Sequence, residues 1–410
     1  MTCISKEVDN YMRESKWEIR IAKLTGFFFP FITLRMDIFT YSITMYMLFL
    51  LMLCLIVILK DGISLTITKL DILVYSFMLI LLISTSYSLE IMYGIERFMK
   101  FFIIVAIYFV IKEVFKKRIN LISIIMKYSI LGGVILLCYL GYVYFIQFNE
   151  NYISLNTDYA SKGSKNSLAF MCTVLSATMF AYLIKIKNSE RYIIIKTFFI
   201  VIGLLLMLAI QSRGLFLILL IYFTYFIFKS LFYKKMKVFL ISLITVPILM
   251  YFVIPREIIN DVFQRYMSLS FLFEPEIIEN NYSFATRSDL IDRAINIFIE
   301  SPFIGIGLGS FQYFGDEKTH LSHNDYLLVL SEQGLIGLFI FILMLVSVVI
   351  MSIKNIRIES NFVNTSLLLS IIGLSVYLLF INAYDNILLW TIIGFISSIS
   401  QNNNIINEKV

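Results

Sequence analysis

Long apolar runs, each about the length needed to cross a lipid bilayer, follow one another along most of this 410-residue chain. A membrane-spanning helix needs about 20 mainly apolar residues, and runs such as 38–59 and 326–352 meet that length. Hydrophobic residues make up 59% of the chain and its mean hydropathy is +0.86, whereas soluble domains contain roughly 45–50% apolar residues. The sequence therefore predicts an integral membrane protein.

The same runs predict helices rather than a β-barrel. Backbone groups in hydrocarbon must be hydrogen-bonded internally, and these runs do not alternate between apolar and polar residues as barrel strands do. We predict an all-α, polytopic protein with about twelve transmembrane helices, forming one integral membrane domain over residues 1–410. The predicted spans are 21–36, 38–59, 69–86, 91–111, 121–147, 166–186, 192–211, 214–232, 238–254, 326–352, 363–382 and 385–400.

Basic residues indicate the orientation of these spans. Connections rich in lysine and arginine, such as "KEVFKKR" (112–118) and "YKKMK" (233–237), fall on one side when twelve spans are threaded in order. The positive-inside rule makes that side cytoplasmic, which predicts a multi-pass protein with both termini in the cytoplasm. The large loop 255–323, between the ninth and tenth spans, then faces outward, carries more acids than bases and contains short helices.

Charge, cysteine content and the N-terminus exclude several other classes. The net charge of +6 is a topology signal before it is a binding surface, so no nucleic-acid partner is predicted. The four cysteines form neither a disulfide framework nor a C-x-x-C motif. The first twenty residues lack the apolar core and cleavage site of a signal peptide, so the first apolar segments are expected to stay as spans.

Within the outward loop, residues 286–302 predict a helix. Thr286 with Asp289 resembles a capping box, apolar residues recur every fourth position from Leu290, and a Ser-Pro pair ends the pattern. Arg287 lies on the apolar face of this helix. Arg287 either has a functional role or belongs to a helix lying on the membrane, where its long side chain only extends its charged end to water.

Both histidines of the chain lie just before the tenth span, in "HLSHNDYLL" (320–328). Ser322 with Asp325 predicts a helix that starts near His323, where the positive end of the helix dipole disfavours an imidazolium. A neutral imidazole suits a general base or an acceptor that orients a hydroxyl, and the alternative is a histidine that only caps or packs. The spacing of His320 and His323 matches no strong zinc pattern, so we predict neither a metal site nor a cofactor.

Two outward arginines are candidates for binding an anion. Arg213 lies in a tight turn, "QSRG" (211–214), between two predicted spans, where an unpaired guanidinium is costly and usually has a purpose. A guanidinium matches phosphate oxygens in pairs, so Arg213 and Arg287 together suit an anionic head group. The alternative for Arg213 is a salt bridge to an acid of the large loop.

Arg97 and Lys100, in "YGIERFMKFF" (93–102), lie in the outer half of the fourth predicted span. Charges at that depth face a bundle interior or a cavity rather than lipid. They either widen the same anionic pocket or pair with Glu96.

Glycines cluster at two further places. "FIGIGLGSF" (303–311) exposes backbone N–H groups to which an anion can bind, but no strand precedes it and no helix opens from it, so a turn is predicted. Gly334 and Gly337 are expected to permit close contact between helices.

Three of these segments together resemble a known family: the "SRG" turn at 212–214, the block 286–311, and "HNDYLLVLSEQGLIGLF" at 323–339. In this order they look like the O-antigen ligase and O-antigen polymerase superfamily. These are bacterial membrane glycosyltransferases that act on polyprenyl-diphosphate-linked sugars outside the cytoplasmic (inner) membrane. The matching blocks cover roughly the second half of the chain.

The resemblance implies roles for particular residues. Arg213 and Arg287 correspond to arginines that engage the diphosphate of the lipid-linked donor, and His323 to the histidine at the acceptor, whereas His320 has no counterpart. The implied transfer needs no metal and inverts the anomeric carbon, with the active site on the outer face of the membrane. The expected partners are the polyprenyl-diphosphate-linked glycan donor, a glycan or lipid A core acceptor, membrane lipids and a chain-length regulator.

Two alternatives stay open from the sequence. The "GIGLGSF…HNDYL" form favours a polymerase of surface-polysaccharide repeat units over a ligase that joins the glycan to lipid A core. A transporter of lipid-linked oligosaccharides also suits about twelve spans. The candidate residues gather at the outer face, however, and this placement favours an interfacial enzyme.

Overall fold

The computed structural model describes residues 14–31, 35–38, 41–149, 165–185, 200–204, 207, 210, 212–230, 244, 256, 282–314 and 321–407. These residues are mainly helical, which agrees with the all-α prediction. The described helices are α1 Lys16–Phe28, α2 Met45–Asp61, α3 Lys69–Thr85, α4 Ile91–Phe115, α5 Ile119–Asn149, α6 Lys165–Lys185, α7 Arg213–Ser230, α8 Tyr282–Glu300, α9 Asp325–Ile358, α10 Phe362–Tyr377 and α11 Ile387–Asn407.

A short β-hairpin departs from the predicted pattern. Strands β1 (Arg35–Ile38) and β2 (Tyr41–Thr44) pair antiparallel, so the predicted spans 21–36 and 38–59 both have wrong bounds. Residues 35–44 are rich in β-branched and aromatic types, which favour strands. Two charged residues, Arg35 and Asp37, also interrupt the apolar run. Thr44 then caps α2, because its side chain accepts a hydrogen bond from the N–H of Met47 at 3.2 Å.

Three of the described helices are long and apolar enough to cross a membrane: Ile119–Tyr139, Asn166–Lys185 and Asp325–Ile358. The shorter helix Phe362–Tyr377 is apolar as well. These helices indicate a membrane protein. The count of about twelve spans is not confirmed. The predicted spans 192–211 and 238–254 lie largely outside the described residues, and so do residues 257–281 and 315–320 of the loop 255–323. The single-domain organisation stays a prediction.

Helices far apart in the sequence pack side by side. α1 packs against α5, α3 and α8 against α9, α4 against α11, and α6 against both α7 and α10. Aromatic rings fill the space where α3, α4, α9 and α11 meet. Phe77 stacks on Phe341 at 5.5 Å between ring centroids, and Phe101 meets Trp390 edge-on at 5.3 Å. This aromatic layer supports the residues that precede α11.

The end of the bundle predicted to be cytoplasmic contains buried ion pairs. The Nζ of Lys112 lies 2.7 Å from Oδ2 of Asp71, and both side chains are buried. Lys116 pairs with Glu113 one turn away, and Arg118 lies 2.7 Å from Asp61. Each of these three buried basic groups therefore has a carboxylate partner.

Candidate active site

Helix α9 begins at Asp325, and its N-cap is Asn324. The Asn324 side-chain oxygen accepts hydrogen bonds from the N–H groups of Tyr326 at 3.0 Å and Leu327 at 3.2 Å, as a capping asparagine does. The predicted cap by Ser322 and Asp325 is therefore wrong by two residues. The Ser322 hydroxyl instead donates to the Asn324 carbonyl at 2.7 Å and stabilises the approach to the helix.

His323 precedes this cap in an unusual backbone conformation. Its φ is +52°, in the left-handed region that costs a residue with a β-carbon roughly 1–2 kcal/mol. The side chain is exposed. Strained backbone of this kind persists only where neighbouring contacts enforce it, and it is concentrated at functional sites.

Asn382 supplies the contact that enforces this conformation. Its side-chain oxygen accepts a hydrogen bond from the backbone N–H of His323 at 2.8 Å, and its amide nitrogen donates to the Ser322 hydroxyl at 3.3 Å. The two partners are about sixty positions apart in the sequence. Because the contact is so distant in sequence, neither spacing nor local motif pointed to Asn382.

Asp325 ties the same two regions together beneath His323. Its carboxylate is buried and accepts a hydrogen bond from the N–H of Ala383 at 2.7 Å. Its own N–H donates to the carbonyl of Leu378 at 2.9 Å. The start of α9 is therefore fixed to the segment 378–386, which joins α10 to α11 and is called the α10–α11 turn below.

The α10–α11 turn also reaches the two cations predicted on α4. The Tyr384 hydroxyl accepts a hydrogen bond from Nη2 of Arg97 at 3.1 Å, and Asp385 lies 2.7 Å from Nζ of the exposed Lys100. The indole N–H of Trp390 donates to the Tyr384 carbonyl at 2.8 Å and holds this part of the turn in place. The sequence indicated only a short connection here.

Arg213 is the first residue of α7, and its neighbours Ser212 and Gly214 lie close to the end of α10 and the start of the α10–α11 turn. The preceding Ser212 is buried, and its hydroxyl lies 2.9 Å from the hydroxyl of Tyr377 at the end of α10. A β-carbon on Gly214 would come within 2.9 Å of the Phe380 ring. Glycine therefore allows the "SRG" turn to pack tightly on the aromatic residues that open the α10–α11 turn.

The glycine-rich segment 303–311 occupies a break in α9. Gly334 has a non-helical backbone with φ of +66°, and the break leaves N–H and C=O groups of the helix without their usual partners. Backbone groups of the segment 302–307 replace four of those partners. The four hydrogen bonds run from Ile306 N to Ser331 O at 3.0 Å, Gly307 N to Glu332 O at 3.0 Å, Leu335 N to Pro302 O at 2.9 Å and Ile336 N to Phe303 O at 3.3 Å.

Close approach explains two of the glycines. A β-carbon on Gly334 would lie 2.3 Å from the Phe303 carbonyl carbon, and one on Gly305 would lie 2.4 Å from the Glu332 carbonyl carbon. Gly305 also has a positive φ of +70°, so the predicted turn is present. The expectation for Gly334 is corrected, because it permits contact with a loop rather than with another helix.

Arg97 forms a buried ion pair with Glu332 rather than with Glu96. Nη1 of Arg97 lies 3.2 Å from Oε1 of Glu332, whose side chain is fully buried next to the break in α9. The Glu332 carboxylate also accepts a weak hydrogen bond from the N–H of Phe311 at 3.4 Å. A buried carboxylate needs such partners, so this pair joins α4, α9 and the glycine-rich segment.

Arg293 on α8 contacts the far end of that segment. Its Nε donates to the carbonyl of Phe311 at 3.2 Å, and its guanidinium carbon lies 5.9 Å and 5.8 Å from the ring centroids of Phe311 and Phe314. Burial lowers the pKa of this guanidinium. None of the ion pairs among the described residues includes Arg293, and no sequence motif pointed to it.

Several predicted residues are only partly covered. The backbone of Arg287 is helical within α8, but its side chain, like the whole of His320, lies outside what the structure describes. Within the described residues, no three His, Cys, Asp or Glu side chains are grouped closely enough to hold a metal ion. Arg213, His323, Arg97 and Lys100 all lie at segments that contact the α10–α11 turn.

The family comparison covers most of these elements. Residues 198–342 match the family model described as O-antigen ligase. This match confirms the resemblance to the O-antigen ligase and polymerase superfamily. The matched range contains Arg213, Arg287 and His323, whereas Arg97, Lys100 and the α10–α11 turn lie outside it. No curated protein matches the chain.

Proposed function

We propose that this protein is a membrane glycosyltransferase that moves a glycan from a polyprenyl-diphosphate carrier to an acceptor sugar hydroxyl outside the cytoplasmic membrane. The family match supports an O-antigen ligase or polymerase type of function. The finer assignment is a repeat-unit polymerase, and the alternative is a ligase that uses lipid A core as the acceptor.

The observation that carries the proposal is the convergence of separate segments on the α10–α11 turn. Asn382 and Ala383 bond to the segment that presents His323. Tyr377 and Phe380 pack on the turn that presents Arg213. A reaction between two large lipid-linked or glycan substrates needs a cation and a proton acceptor fixed relative to each other, and contact of both segments with one turn supplies that restraint.

The proposed chemistry assigns separate tasks to these groups. The acceptor hydroxyl attacks the anomeric carbon as the bond from that carbon to the diphosphate oxygen breaks, which inverts the configuration. The electron pair leaves with the polyprenyl diphosphate, and Arg213 and Arg287 stabilise the developing charge. His323 takes or orients the proton of the acceptor hydroxyl. The products are the extended glycan and the free polyprenyl diphosphate.

In this proposal, Arg97 and Lys100 neutralise less of the diphosphate charge than Arg213 and Arg287 do. Arg97 is already neutralised by the buried Glu332, and Lys100 by Asp385. The exposed Lys100 exchanges its partner for a phosphate at little cost, because surface ion pairs contribute only about 0–1 kcal/mol. Arg97 acts mainly by fixing Tyr384, and through it the α10–α11 turn.

The test is the surface glycan of a deletion strain complemented with wild type, His323→Ala or Arg287→Ala at matched expression. Core bearing one repeat accumulates when a polymerase is lost. Polymer on the polyprenyl carrier beside bare core accumulates when a ligase is lost. Full complementation by both variants would contradict the catalytic roles of these residues.

One observation favours the transport alternative enough to test it. α9 is interrupted at Gly334, and interrupted helices are common at the substrate sites of transporters. In this protein, however, the glycine-rich segment fills the break. Movement of a labelled lipid-linked glycan across liposomes that contain the purified protein, with no acceptor present, would support transport and oppose the proposed transfer.

A further inference from the structure

Helix α8 divides into three sectors around its axis. One sector packs on the protein: Leu290, Ala294 and Ile297 are buried, and α8 lies along α9. The Ser331 hydroxyl lies 3.5 Å from the Ala294 carbonyl, which marks how closely the two helices approach. This buried sector fixes which way the rest of the helix faces.

The second sector is apolar and is not covered by the protein. Ile291, Ile295 and Ile299 recur at every fourth residue, and their exposed fractions are 42%, 46% and 68%. Phe303, 66% exposed, extends this row past the end of the helix. Residues four apart lie on the same face of a helix, so these side chains form one continuous stripe, named the isoleucine stripe here.

The isoleucine stripe continues directly onto α9. Phe303 accepts the hydrogen bond from Ile336 N, which joins the end of the stripe to the break in α9. Beyond the break, Leu335, Ile336 and Phe339 are also exposed, on a helix long and apolar enough to span a membrane. The isoleucine stripe and the exposed apolar side chains of α9 thus form one surface. Both parts of that surface are expected to contact the same medium.

The third sector is polar and acidic. Asp292 and Asn296 are exposed beside the isoleucine stripe, and Asp289 and Glu300 lie in the same sector. Helices that lie in a membrane surface place apolar side chains among the acyl chains and keep a polar face in water. Because this polar face is acidic, attraction to anionic lipids cannot hold the helix, and burial of the apolar stripe has to do so.

We propose that α8 is an interfacial helix whose isoleucine stripe contacts the acyl chains of the bilayer, while Asp292 and Asn296 face water. The occupant of the exposed apolar surface is therefore the lipid itself. A water-exposed stripe of this size, continuous with a spanning helix, is otherwise unexpected in a stable protein.

This placement has a consequence that rests on the proposed function. By helical register, position 287 falls between positions 294 and 298, at the boundary between the protein-facing sector and the isoleucine stripe. The diphosphate of a lipid-linked donor lies at the membrane surface, so the donor reaches Arg287 sideways from the bilayer. The acceptor glycan reaches the site from water.

The test measures contact with lipid and is independent of activity. Single cysteines replace Ile291, Ile295, Ile299, Asp292 or Asn296 in a full-length protein whose native cysteines have been replaced. Each cysteine variant is spin-labelled and placed in liposomes. The collision rate of the label is then measured with oxygen, which concentrates in lipid, and with a nickel chelate, which stays in water. The oxygen-to-nickel ratio is expected to be several-fold higher at 291, 295 and 299 than at 292 and 296, and unchanged by added salt.

Two results would overturn the proposal. Equal ratios at neighbouring positions such as 295 and 296 would place the isoleucine stripe in water. Low collision rates with both reagents at 291, 295 and 299 would mean that another protein surface covers the stripe. A lipid-contacting stripe in a protein that transfers no glycan would leave this proposal standing and would contradict the proposed function instead.

Discussion

Both ends of the helical bundle contain buried ion pairs, with Arg97 and Glu332 paired at the outer end, but the two ends differ in the charged groups that remain. At the end predicted to be cytoplasmic, buried lysines and arginines are matched one to one with carboxylates, as Lys112 is with Asp71. At the other end, Arg293 is held by a carbonyl and two aromatic rings and has no carboxylate among its described partners. There His323 is exposed on strained backbone. Matched pairs serve the fold, whereas charge and strain kept at a surface suit the binding of a charged substrate.

Replacement of His323 is expected to give the largest effect on activity. His323→Gly removes the imidazole and also accommodates a φ of +52° without strain, so folding is preserved. Loss of a general base lowers the rate about 10²- to 10⁴-fold. The measurement is release of polyprenyl diphosphate by the purified protein, with the thermal unfolding temperature measured in parallel.

His323→Ala is the matched control for backbone strain. Alanine keeps the cost of the left-handed conformation, roughly 1–2 kcal/mol, so it is expected to unfold at a lower temperature than His323→Gly with the same loss of rate. If either variant transferred glycan at the wild-type rate, the proposed active site at His323 and the α10–α11 turn would be wrong.

Replacement of Lys112 is expected to give the largest effect on stability. Lys112→Met leaves Asp71 buried without its cation, which costs about 3–5 kcal/mol. The double variant Lys112→Met with Asp71→Asn removes the uncompensated charge and recovers part of that loss. Thermal unfolding in detergent measures the stability of both variants. Their transfer rates, measured below the unfolding temperature, are expected to stay near that of wild type. A large loss of rate in the folded Lys112→Met protein would break the contrast between the two ends.

Gly334→Ala tests the break in α9. The added β-carbon would lie 2.3 Å from the backbone of Phe303, and alanine at φ of +66° costs a further 1–2 kcal/mol or so. The glycine-rich segment must then withdraw, so both the unfolding temperature and the transfer rate fall. Gly62→Ala is the control, because Gly62 also has positive φ but nothing lies within 4 Å of its β-carbon position. Equal effects of the two substitutions would show that packing at the break is unimportant.

Asn382 tests whether the α10–α11 turn positions His323. Asn382→Ala removes the acceptor of the His323 N–H, a bond worth about 0.5–1.5 kcal/mol, so kcat falls up to about tenfold while KM for the donor changes little. In the His323→Gly background the same substitution is expected to add nothing to the loss of rate. An additive loss would show that Asn382 acts independently of His323.

Arg293→Gln is expected to give the smallest effect on stability. No ion pair among the described residues is lost, and a partly exposed cation over an aromatic ring contributes about 0.5–1 kcal/mol. Thermal unfolding at low and high salt measures this, and the difference from wild type should not depend on salt. A loss as large as that of Lys112→Met would mean that Arg293 stabilises the fold as strongly as a buried ion pair does.

The sequence predicted the elements better than the contacts. Runs such as 69–86 and 91–111 correspond to α3 and α4 because length and apolar composition alone determine such helices. The hairpin at 35–44 was missed because β-branched residues count as apolar in either structure. Asn324 could have been recognised, since asparagine is among the strongest N-caps.

The α10–α11 turn could not have been predicted from one sequence. The predicted spans 363–382 and 385–400 leave almost no room for a loop, whereas α10 ends at Tyr377 and α11 begins at Ile387. The residues between them are mostly apolar, so composition gives no boundary. Their place in the site depends on hydrogen bonds with Asp325 and Arg97, and such long-range pairings leave no local pattern.

The most direct measurement is transfer by purified protein in liposomes, with a synthetic polyprenyl-diphosphate-linked glycan as donor and a glycan acceptor. Wild type and folded Lys112→Met are expected to release polyprenyl diphosphate at similar rates. His323→Gly is expected to release almost none, at an unfolding temperature no lower than that of wild type. Release by His323→Gly at the wild-type rate would contradict the placement of the active site at His323 and the α10–α11 turn.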